Sequence, residues 1–165
     1  MFQYLADSMA NMVKGVEEYC DSGAQVLEMD RTLQLDSYSC GARSAFMILN
    51  YFGKAKSIAN VERKLKTTEE GTSTERIFAL LEKRGLEVVE MERAKLKDIR
   101  DAIDHGAPVL VTLHGMTHMA VVYGYSDGII YVNDPDILAS PLCGWNTQEF
   151  KSKWDRWCAV VFDGG

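Results

Sequence analysis

The 165-residue sequence has no excess of basic charge: 18 Lys and Arg face 24 Asp and Glu, for a formal net charge of −6. Neutralising phosphates requires the opposite balance, so no nucleic-acid partner is expected. No run approaches the roughly 18 consecutive apolar residues of a membrane span, and no transmembrane segment is expected. Proline occurs only three times, and no repeat or low-complexity tract is present. The four cysteines, Cys20, Cys40, Cys143 and Cys158, never form Cys-x-x-Cys, which removes the usual redox pair and zinc knuckle. Met1 to Cys20 lacks both a basic n-region and a continuous apolar h-region, so a cytoplasmic location with reduced thiols is the expectation.

What is present suffices for a core: 47% of residues are hydrophobic and 10% aromatic. Phe2, Leu5, Met9, Met12, Val16 and Tyr19 repeat in steps of three and four, the spacing of one helix face. Residues 1–22 therefore read as an amphipathic helical extension, and 23–165 as the main domain. After an extended segment over Val26 to Leu35, a helix is expected from about Cys40 to Phe52, stopped by Gly53. Ser57 is expected to cap a second helix, and a Thr72/Glu75 capping box to open a third that ends at Gly85. Strands are expected over 86–91, 109–113, 119–125, 129–132 and 157–162, with Ser126-Asp127-Gly128 as a hairpin turn. Short helices are expected over 96–103 and, capped by Thr147, over 148–154. Helices first and an antiparallel sheet second is an α+β layout.

Four residues on these elements form a candidate catalytic set. Cys40 opens a helix, where free N–H groups and the helix dipole favour a thiolate, and Gly41 is expected to leave the sulfur uncluttered. His118 opens a strand, where an imidazole can face a helix across a cleft and exchange a proton with a thiol. Asp134, before Pro135, ends the strand that the hairpin folds back, within reach to orient His118. Asp136 competes for that role. Gln34, six residues before Cys40, is placed to join the Cys40 N–H in an oxyanion hole if the loop between them curls back. His114 and His118 are four apart, but the segment is not helical and Gly115 stands where a metallopeptidase needs Glu, so no metal site or cofactor is expected.

Leu33-Gln34-Leu35-Asp36-Ser37-Tyr38-Ser39-Cys40-Gly41-Ala42, His118-Met119-Ala120-Val121-Val122-Tyr123-Gly124 and Val132-Asn133-Asp134-Pro135 together resemble the C39 peptidases. These are papain-like cysteine peptidases, many of them domains of bacteriocin-exporting ABC transporters. The resemblance covers about residues 30 to 162. It implies a papain-like fold in which N-terminal helices carrying the Cys pack on an antiparallel sheet carrying His and Asp. It also implies Cys40 as nucleophile, His118 as general base and acid, Asp134 as orienting carboxylate and Gln34 as oxyanion donor. The implied substrate is a peptide or leader peptide, cut after Gly-Gly in transporter-borne members, and an ABC transporter is an implied partner. Two alternatives stand beside it: a non-catalytic C39-like docking domain, which the presence of Cys40 and Gln34 argues against, and a papain-like transferase related to phytochelatin synthase.

Overall fold

The computed structural model describes residues 24–136, 138 and 144–165; the expected helix over 1–22, together with Cys20 and Cys143, lies outside them. Strand β1 is Gln25–Val26, followed by helices α1 (Cys40–Tyr51), α2 (Ile58–Leu65) and α3 (Thr74–Lys83). Then come β2 (Leu86–Met91), α4 (Leu96–Asp104), β3 (Val109–Leu113), β4 (His118–Ser126) and β5 (Ile129–Asn133). The chain closes with β6 (Trp145–Asn146), α5 (Thr147–Lys153) and β7 (Trp154–Asp163).

All strand pairings are antiparallel, in the order β2-β7-β3-β4-β5-β6. β1 lies against Gly124 and Tyr125 of β4, just past Val122, where the pairing with β3 has ended. One face of the sheet carries α1, α2 and α3, with Ala45, Ile48, Leu49, Leu81, Leu110, Val121 and Ala159 in a common core. The other face carries α4 and α5, with Ile99, Val109, Val111, Val122, Phe150 and Val160. The uninterrupted apolar run of β3 follows from this, because a strand covered on both faces has no solvent side on which to alternate.

Two helix starts differ from the sequence expectation by one residue. Ser73, not Thr72, accepts the Arg76 N–H at the start of α3, because the Thr72 hydroxyl is engaged by Thr67 at 2.8 Å. Asn146, not Thr147, caps α5 by accepting the Glu149 N–H. In both cases a second cap-competent residue stood beside the one used. Of the expected extended segment from Val26 to Leu35, only Val26 lies in a strand, as the second residue of β1.

Candidate active site

The segment from Ala24 to Gln34 is fastened along β4 and β5 and delivers the loop that precedes Cys40. Leu27 N–H donates to Tyr123 O, Arg31 Nη2 to Val132 O at 2.6 Å and Asn133 Nδ2 to Met29 O at 3.0 Å. Gln34 N–H then reaches Pro135 O at 2.8 Å, bringing its loop beside Asp134. Asp36 curls the next residues: its Oδ1 accepts the Tyr38 N–H at 2.9 Å and the Ser39 N–H at 2.7 Å. α1 follows at Cys40 without a side-chain cap from Ser39. Burial would raise the Asp36 carboxyl, but these N–H donors, the Ser39 hydroxyl and Arg43 outweigh it and hold it below its ordinary value.

Gln34 Nε2 donates to Asp36 O at 2.8 Å, which orients the amide and leaves its second N–H for another acceptor. Its Oε1 is buried with no hydrogen-bond partner among the described residues. A Cβ at Gly41 would meet Ile77 and Met119 at 3.4 Å and Thr72 at 3.5 Å, ordinary contact distances, where the first turn of α1 lies on α3 and β4.

The sheet brings His118 to Asp134 through a bulge. Toward the hairpin, Tyr125 faces Ile130 and Gly124 faces Tyr131; further on, Val122 faces Val132 and Val121 faces Asn133, so Tyr123 is one extra residue in β4. Continuing that second register puts Asp134 across from Ala120, on the face that His118 shares two residues away. Were Tyr123 paired instead, in a ladder without the bulge, Asp134 would face Val121 and project from the opposite side. Isolated Gly124 inside a strand pattern was the available sequence signal for this bulge.

The resulting geometry is a chain of three groups. His118 Nε2 lies 2.5 Å from Asp134 Oδ1, and Asp134 is fully buried whereas the His118 side chain retains 13% exposure. Asp134 Oδ1 also accepts the Asp136 N–H, while Asp136 Oδ1 is turned to the Leu138 N–H; Asp134 and not Asp136 is therefore the partner of His118. With Nε2 committed, Nδ1 is the ring nitrogen left to face Cys40. Burial opposes ionisation of the Cys40 thiol. The His118 hydrogen bond, backbone N–H bonds from Met119 and Gly41, and the His118 charge overcome that and lower it. Burial likewise disfavours the imidazolium, yet hydrogen bonds to Asp134 and Cys40 and their charges raise His118 to about 10. The opposite directions of these two shifts describe a thiolate–imidazolium pair.

All four sequence-derived candidates, Gln34, Cys40, His118 and Asp134, thus converge on one end of the sheet. His114 sits in the β3–β4 turn with its ring 6.4 Å from that of His118. Asp36, which organises the loop, is not among the sequence candidates, although an Asp at the head of Asp36-Ser37-Tyr38-Ser39 is a recognisable turn signal.

The Peptidase C39 family model matches residues 28–164. The chain is 30% identical over 133 residues to the pediocin PA-1 transport/processing ATP-binding protein PedD of Pediococcus acidilactici, covering 79% of this chain but 18% of that relative. Its fold is similar to a double glycine motif protease from an AMS/PCAT transporter, solved with its leader peptide. The TM-score is 0.69 at 19% identity, over 82% of this chain and 92% of that one. It is also similar to the peptidase domain of Streptococcus ComA, a bifunctional ABC transporter, with a TM-score of 0.65 at 23% identity, over 78% and 94% of the two chains.

Proposed function

The chain belongs to the peptidase C39 family, and from that premise we propose that it is a cysteine peptidase acting through Cys40, His118 and Asp134, with Gln34 as oxyanion donor. The observation that carries the reading is the unbroken contact from buried Asp134 through His118 to a Cys40 whose thiol is shifted toward the thiolate.

In this mechanism the Cys40 thiolate attacks the carbonyl carbon of the scissile bond, forming a C–S bond while the carbonyl π electrons move to oxygen. The oxyanion is met by the second N–H of Gln34 and the N–H of Cys40, one of the donors a helix start leaves without an intrahelical acceptor. His118, already protonated, gives its proton to the leaving amine nitrogen as the C–N bond breaks. A water then loses a proton to His118 and attacks the thioester carbon, releasing the acid and regenerating the thiolate–imidazolium pair. Asp134 fixes the imidazole ring and stabilises its charge without taking a proton.

Family membership and the transporter-borne relatives support a leader peptide as substrate, cut after Gly-Gly, and association with an ABC transporter that exports the product. The test is a digest of a peptide library containing Gly-Gly and Gly-Ala sites, read by mass spectrometry with wild-type protein and Cys40→Ala. New termini after Gly-Gly with the wild type alone are expected. Binding of the peptides without any new terminus would point to a docking domain and contradict the reading.

A further inference from the structure

The turn that delivers His118 is held in a conformation its residues disfavour. Leu113 and His118 pair across the β3–β4 hairpin, so the turn is His114-Gly115-Met116-Thr117. His114, Gly115 and Met116 are successively left-handed, with φ of 57°, 71° and 64°, and only the middle one is glycine. For residues with a Cβ this region is sterically unfavourable, and it persists only where surroundings enforce it.

The enforcing group comes from β7, about 40 residues away in sequence. Asp155 Oδ1 accepts the Gly115 N–H at 2.9 Å and Oδ2 accepts the Met116 N–H at 2.8 Å, so both carboxylate oxygens grip the turn. Successive N–H groups of left-handed backbone form a concave donor site, and an anion seated in it makes charge-assisted bonds. His114 N–H is tied to Lys153 O at 2.9 Å, and the Thr117 hydroxyl donates to His114 O at 2.8 Å. Asp155 is itself aimed by an irregularity. Between Val111↔Cys158 and Leu113↔Trp154 the β3–β7 register shifts, and there Arg156 is also left-handed, with φ of 60°. Its guanidinium is anchored by Ala94 O and Arg93 O, and Ala94 N–H returns to Arg156 O. Two disfavoured backbone sites are therefore joined by one carboxylate, two residues before the imidazole. Met116, 62% exposed, is the side chain that the clamp turns outward. A relaxed two-residue turn would close the hairpin at lower cost, so the extra apparatus calls for a role at the residue it leads into.

We propose that Asp155 is a positioning residue for His118: by clamping the strained 114–117 turn it fixes where the imidazole stands relative to the Cys40 sulfur. This rests on the reading of Cys40 and His118 as a working pair. The test compares wild type, His118→Ala, Asp155→Ala and Asp155→Ala with Met116→Gly, by the pH dependence of Cys40 alkylation and by kcat and KM on a cleaved peptide. Asp155→Ala is expected to raise the apparent pKa of Cys40 part of the way toward that of His118→Ala. It should lower kcat about 10–100-fold with KM little changed, as misplacement of a catalytic group does. Adding Met116→Gly should recover much of both, because glycine enters the left-handed region without the Cβ clash. If Asp155→Ala does not fold, Asp155→Asn, which keeps one acceptor oxygen, takes its place, with a smaller loss that Met116→Gly again reverses. An Asp155 variant with the wild-type alkylation profile and kcat overturns the proposal, as does a loss that Met116→Gly leaves untouched. If His118→Ala itself leaves the Cys40 profile unchanged, the peptidase reading fails as well; if only the Asp155 variant is without effect, that reading stands.

Discussion

Cys40 and Cys158 carry the same thiol in opposite surroundings. Cys158 is fully buried in the core shared with α4; burial, with Asp98 nearby, pushes its thiol up to about 12. Cys40 is also largely covered, but His118 and two backbone N–H groups reverse the effect of burial. Iodoacetamide near neutral pH should therefore label Cys40 and spare Cys158, as peptide mapping would show; comparable labelling of both would contradict the assigned environments. The same pair sets the pH dependence of cleavage. On the acid side, kcat/KM should rise as Cys40 ionises, below the ordinary thiol range. On the basic side it should fall as His118 loses its proton near pH 10, because the leaving amine then lacks a donor. Asp134→Asn keeps an acceptor for the ring but removes the charge that raises His118, so its basic limb should move to lower pH. Gln34→Ala should lower kcat by about 10²–10³ with KM little changed, the usual cost of one oxyanion donor. Cys40, His118 and Asp134 were legible in sequence because each was expected at an element start or end, where chemistry and chain direction agree, and Gln34 by its spacing of six residues before Cys40. Asp155 was not, because a contact spanning about 40 residues leaves no local pattern.

At the scale of elements, the site depends on the β4 bulge more than on any helix. The hairpin at Ser126-Asp127-Gly128 was readable from its turn residues, yet the hairpin alone gives the wrong register, with Asp134 facing away from His118. The extra residue at Tyr123 corrects it, and β1 lies directly over the neighbouring Gly124. A Cβ at Gly124 would stand 2.6 Å from Val26 Cγ1 and 2.8 Å from Gln25 O, so no side chain fits. Gly124→Val should dislodge β1 and cost about 1–3 kcal/mol in chemical denaturation. Because β1 leads into the segment that carries Gln34, kcat should fall as well. Unchanged stability would mean that β1 does not pack there. The displaced caps at Ser73 and Asn146 show the limit of local reading: both positions of each Thr-Ser or Asn-Thr pair are competent, and at Ser73 it is the Thr67–Thr72 contact that takes the other candidate away.

In the whole molecule, one sheet separates two cores, and the candidate site lies at the end of the sheet where Cys40 from one face meets His118 and Asp134 from strand ends. The α+β layout was readable because β-branched runs and helix-period runs occupy different parts of the chain. That both faces of the sheet are covered followed less directly, from the continuous apolar run of β3. Phe150, fully buried and packed between Trp145 and Trp154, belongs to the core away from Cys40. Phe150→Ala should cost about 3–5 kcal/mol of stability, while the protein that remains folded keeps the wild-type Cys40 labelling profile. A lost profile in folded Phe150→Ala would mean that the two faces are not energetically separable. The thiolate–imidazolium pair on which the peptidase reading rests is tested most directly by thiolate absorbance near 240 nm, titrated as the difference between wild type and Cys40→Ala. In the wild type Cys40 should titrate below the ordinary thiol range, and in His118→Ala it should return to that range or rise above it; superimposable titrations of the two would contradict the account.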